Sequence, residues 1–171
     1  MAKKRKGAFT LKSPNFRSEG TIGMEHVFNS FGCTGQNLSP ALVWSGAPEG
    51  TKSFALLCHD PDAPTGGAGW WHWLVLNIPA SVTELAKDAG RADGSGLPAG
   101  AVHVNTDFGG PGWGGPCPPV GDKPHRYVFT LYALKVDKLD PSGGTASLAG
   151  YMVNGNTIAK AKLVGKFGRK K

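Results

Sequence analysis

Residues 113–134 read WGGPCPPVGDKPHRYVFTLYAL. The second half, Arg126–Leu134, is dense in tyrosine, valine, phenylalanine and threonine and predicts a long β-strand. The first half is stiffened by prolines and glycines, which exclude regular structure and hold the backbone in one shape. A constrained loop delivering straight into a strand suggests a binding surface carried on a β scaffold.

The same pattern extends outward. Ser53–Cys58 (SFALLC) is a compact apolar run between Pro48–Gly50 and Pro61, which fits a buried central strand better than a helix. Trp71–Ile78 (WHWLVLNI) repeats it and stops at Pro79, and Asn37–Trp44 reads as a turn entering a short strand. Residues 9–31 suggest early strands broken by Pro14 and Gly20, and Val82–Lys87 one or two helical turns. Ten glycines and six prolines within residues 90–124 leave little room for regular structure. Phe108, Trp113 and Pro118-Pro119 nonetheless argue that this segment is packed. Ala146–Val153 reads as a short helix. Near the end, Ala161, Leu163, Gly165 and Phe167 alternate with Lys160, Lys162, Val164 and Lys166, the period of a strand exposed on its lysine side. The expectation is a mostly β domain over residues 9–169, a sandwich with one or two short helices, after a flexible basic tail over 1–8.

The 171-residue chain is long enough for one real core, and no apolar run approaches the ~20 residues of a membrane span. The net charge of +7 sits at the ends: residues 1–12 and 160–171 carry five and six basic groups and no acid, so residues 13–159 are net −4. Without an apolar stretch behind MAKKRK, a cytoplasmic location is expected. Cys33, Cys58 and Cys117 are odd in number and lack metal spacing, so free thiols are expected.

Polar groups gather where apolar strands begin or end: CHDPDAP at 58–64, WWHW at 70–73 and HRY at 125–127. Strand alternation places Trp70 and His72 on one face, followed by Leu74 and Leu76, and pairs His125 with Tyr127. Imidazole and phenol donors with loop amides suit phosphate-like oxygens, and the Asp60 carboxylate would orient one histidine.

Three of these stretches occur together: DPDAP (60–64), WWHWLVLNIP (70–79), and GGPCPP (114–119) with GDKPHRYVFTLYAL (121–134). In this combination the chain resembles the phosphatidylethanolamine-binding protein family, nearest its bacterial and archaeal Raf kinase inhibitor-like branch, from about Phe9 to Arg169. The resemblance implies an antiparallel β-sandwich with a small cavity for phosphate, acetate or a phospholipid head group. Its ligand-binding residues map onto Asp60, Pro64, Trp70, His72, Cys117, Pro118, Pro119, His125 and Tyr127, with no metal or other cofactor and no catalytic residue. It also implies a cis proline at Ala63–Pro64, a role in modulating a kinase, protease or other signalling partner, and pairing as homodimers. Two departures stand out. Trp113 replaces the branch's usual tyrosine and would narrow or re-aim the cavity mouth, and Phe167 lacks the hydroxyl of the family's last strand.

Other readings compete. Two histidines and an aspartate could hold a metal, but no HxH or HxxxH spacing accompanies them. Cys117, His125 and Asp60 have the residue types of a cysteine hydrolase, although Cys117 lies between two prolines with no following helix to lower its pKa. His26, His59 and His103 read as structural, Asp62 as a turn residue, and Arg126 as one half of a surface ion pair. The basic ends suggest weak electrostatic contact with nucleic acid or an anionic membrane.

Overall fold

A computed structural model describes residues 7–171; the basic run at 1–6 lies outside the described residues. Among the described residues, eight strands form two sheets. The smaller contains β1 (Thr10–Lys12), β2 (Leu42–Ser45) and β5 (Glu84–Leu85), in the order β1-β2-β5. The larger contains β3 (Ser53–Asp60), β4 (Trp70–Pro79), β6 (Val102–His103), β7 (His125–Leu134) and β8 (Thr157–Phe167), in the order β6-β4-β3-β7-β8. All pairs between these strands are antiparallel.

β3 occupies the middle of the larger sheet, which explains why SFALLC is apolar without alternation. One face of β3, carrying Phe54, Leu56 and Cys58, packs with Trp44, Trp73 and Phe129 in the sandwich core. The other, carrying Ala55 and Leu57, packs with Leu74 and Leu76 beneath helix α1 (Ala146–Gly155) through Ala149 and Val153. Both faces are dry, so both must be apolar. Thr145 caps α1 by accepting from the Leu148 amide, and Leu148, Tyr151 and Ile158 remain exposed.

Four expectations need correction. Among residues 9–31 only Thr10–Lys12 is a strand, while Met24–His26 forms a single 3-10 turn. Val82–Lys87 holds the short strand β5 rather than helical turns, because Val43↔Glu84 and Leu42↔Leu85 pairing recruits it to the smaller sheet. Cys33 and Cys117 are joined in a disulfide 84 residues apart in sequence, leaving only buried Cys58 as a free thiol. The described residues contain no cis peptide bond, so Ala63–Pro64 is trans.

Candidate functional site

The antiparallel order brings the polar stretches together. β3 ends where its two neighbours begin, so Asp60, Trp70 and His125 arrive at the same end of the larger sheet. The register of β4 on β3 then shifts: Cys58 faces Trp73, but His59 faces Trp71, which leaves His72 as an extra residue in a β-bulge. Simple alternation therefore misplaces the side chains behind it. Trp70, His72 and Trp73 share the sandwich side, whereas Leu74 and Leu76 lie on the helix-covered side. The bulge aims His72 into a cavity.

That cavity measures about 260 Å³ and is lined by Asp60, Pro64, Trp70, His72, Cys117, Pro118, Pro119, His125 and Tyr127, all nine expected residues. Phe31, Ala63, Thr65 and Phe108 line it as well. None of these four was among the expected site residues, although Ala63 lies in the DPDAP stretch and Phe108 was expected to be packed. Phe31 belongs to a loop distant in sequence, brought in beside the Cys33–Cys117 bond. Phe31 and Phe108 form an aromatic lip with Phe28, and Phe31 is 69% exposed.

The loop at 113–121 is a fastened wall. The Phe28 amide donates to Pro116 O at 3.0 Å, the Gly115 amide to Asn37 Oδ1 at 2.8 Å, and Asn37 Nδ2 to Trp113 O at 3.1 Å. Arg169 Nε donates to Pro118 O at 2.6 Å, and the Gly121 amide donates to Arg169 O. Gly115 is required by space: a Cβ there would sit 2.0 Å from His26 O. Trp113 does not touch the cavity mouth. Its ring stacks on Phe129 in the core and its Nε1–H donates to His26 O, so the expected narrowing is corrected.

The hydrogen bonds revise the donor assignment. His125 sits between two carboxylates, with Nδ1 at 2.7 Å from Asp60 Oδ2 and Nε2 at 2.9 Å from Asp122 Oδ2. Burial disfavours its charged form, but the bonds to Asp60 and Asp122 outweigh that and raise its pKa. Both ring nitrogens are thus committed, and His125 has no spare N–H for a ligand. Asp122 was missed; its position three residues before His125 was the available signal. Asp60 also accepts the Asp62 amide through Oδ1, which fixes the DPDAP turn. Asp62 is itself an ion-pair partner: Arg126 grips its carboxylate through Nε, Nη2 and the backbone amide, holding its pKa at about 2. Asp62 thus sits in a turn as expected, with its carboxylate taken up by the ion pair expected of Arg126.

His72 is different in kind. Burial pushes its pKa down to about 4, so at neutral pH the ring is uncharged. Nδ1 faces Gly114 O, which can only accept; the single proton therefore resides on Nδ1 and Nε2 keeps a lone pair. His72 is an acceptor toward the cavity, not the donor expected. The unpaired donors are elsewhere: Tyr127 Oη and Trp70 Nε1 are buried without a hydrogen-bond partner among the described residues. Burial also holds the Tyr127 phenol far above its ordinary pKa, keeping it protonated as a donor. Buried polar groups left unpaired cost roughly 1–3 kcal/mol each, a cost that a ligand can relieve.

The family described as phosphatidylethanolamine-binding protein matches residues 12–168. The chain is 55% identical to the protein YbcL of Escherichia coli (strain K12) over 157 residues, 91% of this chain and 85% of that one. The crystal structure of E. coli YbcL, described as a new member of the mammalian PEBP family, superposes with a TM-score of 0.91 at 52% identity, covering 94% and 98% of the two chains. The protein YbhB of the same organism is 42% identical, covering 92% and 98%. A Mycobacterium tuberculosis protein named putative lipoprotein LppC is 37% identical, covering 92% of this chain and 71% of that one.

Proposed function

The chain belongs to the phosphatidylethanolamine-binding protein family, and from that premise we propose that it is a non-enzymatic binding module for a small phosphoryl-type anion. The observation that carries this reading is that three residues lining one cavity hold two buried donors without a partner among the described residues, Tyr127 Oη and Trp70 Nε1, and one acceptor, His72 Nε2. A singly protonated phosphoryl group satisfies all three: two oxygens accept from Tyr127 and Trp70, and its P–OH donates to His72. A carboxylic acid offers the same donor and acceptor with fewer oxygens.

Charge selects the protonation state. Among the described residues no lysine or arginine lines the cavity, and His125 is flanked by the carboxylates of Asp60 and Asp122. A dianion entering this environment would meet more repulsion than attraction, whereas a monoanion that donates one hydrogen bond would not. The volume of about 260 Å³ fits a head group, with any larger substituent leaving past Phe31 and Phe108. Occupancy of the cavity would then bias the surrounding loops toward or away from a signalling partner such as a kinase or protease.

The alternative hydrolase loses its nucleophile, because Cys117 in a disulfide has no thiol to attack with. The disulfide also bears on location. Glutathione keeps most cytosolic cysteine pairs reduced, so this bond favours an oxidising compartment over the cytoplasm. The basic ends would add a weak, salt-sensitive attraction to nucleic acid or anionic membrane, with Lys170 and Lys171 exposed and Arg169 already committed to Pro118.

Calorimetric titration with phosphoethanolamine at pH 6 tests the binding reading. Tyr127→Phe, which removes one donor and little volume, should weaken binding about ten- to hundredfold, the worth of one hydrogen bond to an anion. Equal affinity in the variant and the wild type would remove Tyr127, and with it the assigned site.

A further inference from the structure

Along one seam the two sheets approach each other without strand pairing. β1 is the outer strand of the smaller sheet and β8 the outer strand of the larger, and they flank an open groove of about 670 Å³. Buried Leu11, Phe16 and Leu163 form its floor beside half-buried Phe9, and exposed Lys12, Arg17 and Lys162 stand on its rim.

The free edge of β8 can be read residue by residue. Val164 O accepts the Glu19 amide, while Lys166 N and O pair with Gly20 O and the Ile22 amide. Residues 164 and 166 thus turn their backbone groups away from β7. In an antiparallel strand that direction repeats every second residue, and the β7–β8 register runs unbroken from His125↔Phe167 to Ala133↔Ala159. The N–H and C=O groups of Lys160 and Lys162 therefore also point outward, beyond the stretch that residues 19–22 cover. No strand pairs with them among the described residues.

We propose that this seam is a slot for an extended acidic segment of another protein, which adds to the edge of β8 as an extra strand. Backbone pairing with Lys160 and Lys162 supplies affinity that is independent of side chains, and alternate side chains of the guest read the groove. One set meets the apolar floor of Leu11, Phe16 and Leu163. The other lies beside Lys160 and Lys162, where cross-strand partners of opposite charge are favoured. Lys12, Arg17, Lys160 and Lys162 make no ion pair among the described residues, and no acidic residue lines the groove. Charge decides the occupant. A second copy paired edge to edge through β8 would bring Lys160 and Lys162 against their own counterparts, the arrangement by which edge lysines prevent self-association. An acidic guest meets no such repulsion.

The probe is a capped synthetic peptide of about six residues alternating valine and glutamate, a common strand length. Titrated into the whole protein, it should shift amide resonances of residues 158–163 and 10–17, and the same peptide N-methylated at alternate amides should not. Charge reversal by Lys160→Glu with Lys162→Glu should weaken the peptide at least about tenfold and favour a valine–lysine peptide instead. That variant should bind phosphoethanolamine as the wild type does, which separates this slot from the cavity. Absence of shifts at millimolar peptide, binding that survives N-methylation, or indifference to charge reversal would each overturn the proposal. A concentration-dependent dimer joined through β8 would overturn the choice of occupant.

Discussion

Reduction of the Cys33–Cys117 bond should have a large effect on stability. The bond closes a loop of 84 residues in sequence. In the chain-entropy description, a loop of that length removes roughly 4.5 kcal/mol of conformational freedom from the unfolded chain at 25 °C. Measured effects usually fall below that ceiling, so about 2–4.5 kcal/mol is expected, a large share of the 5–15 kcal/mol typical of a domain. For a chain of this size the loss lowers Tm by about 5–15 °C. The assay is urea unfolding of the protein with and without reductant, repeated on Cys33→Ala/Cys117→Ala. Thiol titration under denaturing conditions should give one reactive group, Cys58, before reduction and three after. Three free thiols in untreated protein made under oxidising conditions, or a midpoint indifferent to reductant, would refute the reasoning. The bond also holds the Phe31 loop against the Pro118 wall, so reduced protein should bind phosphoethanolamine more weakly.

Three further outcomes follow from the site. The two cavity histidines should titrate apart in NMR: His72 near pH 4 and His125 above its ordinary 6.5. Their effects on stability have opposite sign. The depressed pKa of His72 gives stability present above pH 6.5 and lost as pH falls toward 4, at most about 3 kcal/mol. The raised pKa of His125 gives stability present below pH 6.5 and lost as pH climbs through its folded value. Asp122→Asn removes one of the carboxylates on His125 and should lower that residue's pKa, and an unmoved titration would mean that Asp122 does not hold the ring in solution. Gly115→Ala places a methyl where the His26 carbonyl stands, so a loss of about 1–3 kcal/mol is expected in urea unfolding; an unchanged midpoint would show that the wall is not packed this tightly.

Much of the scaffold was legible in the residues. The apolar runs at 53–58, 71–78 and 126–134 lie within β3, β4 and β7, because a strand buried on both faces cannot hide its composition. The nine expected site residues share one cavity, since each sat at a strand end or in the proline-rich loop. What was lost depended on the third dimension. The bulge at His72 inverts the faces of Leu74 and Leu76, and a register shift leaves no mark in a string of apolar letters. The direction of each ring nitrogen depended on Gly114 and Asp122, whose placement only the folded loops define. The disulfide was missed because three cysteines are odd in number, yet 33 and 117 meet across a chain that otherwise reads as thiol-bearing.

In the proposed binding mode Trp70 Nε1–H and Tyr127 Oη donate to the anion, and His72 Nε2 accepts from its P–OH. The most direct measurement follows the indole N–H resonance of Trp70 during a phosphoethanolamine titration, at pH 5 and at pH 8. A saturable downfield shift, tighter at pH 5 where the phosphoryl group keeps its proton, is the predicted result. An indole resonance that stays put while the ligand binds, or binding that tightens toward pH 8 as the dianion forms, would contradict it.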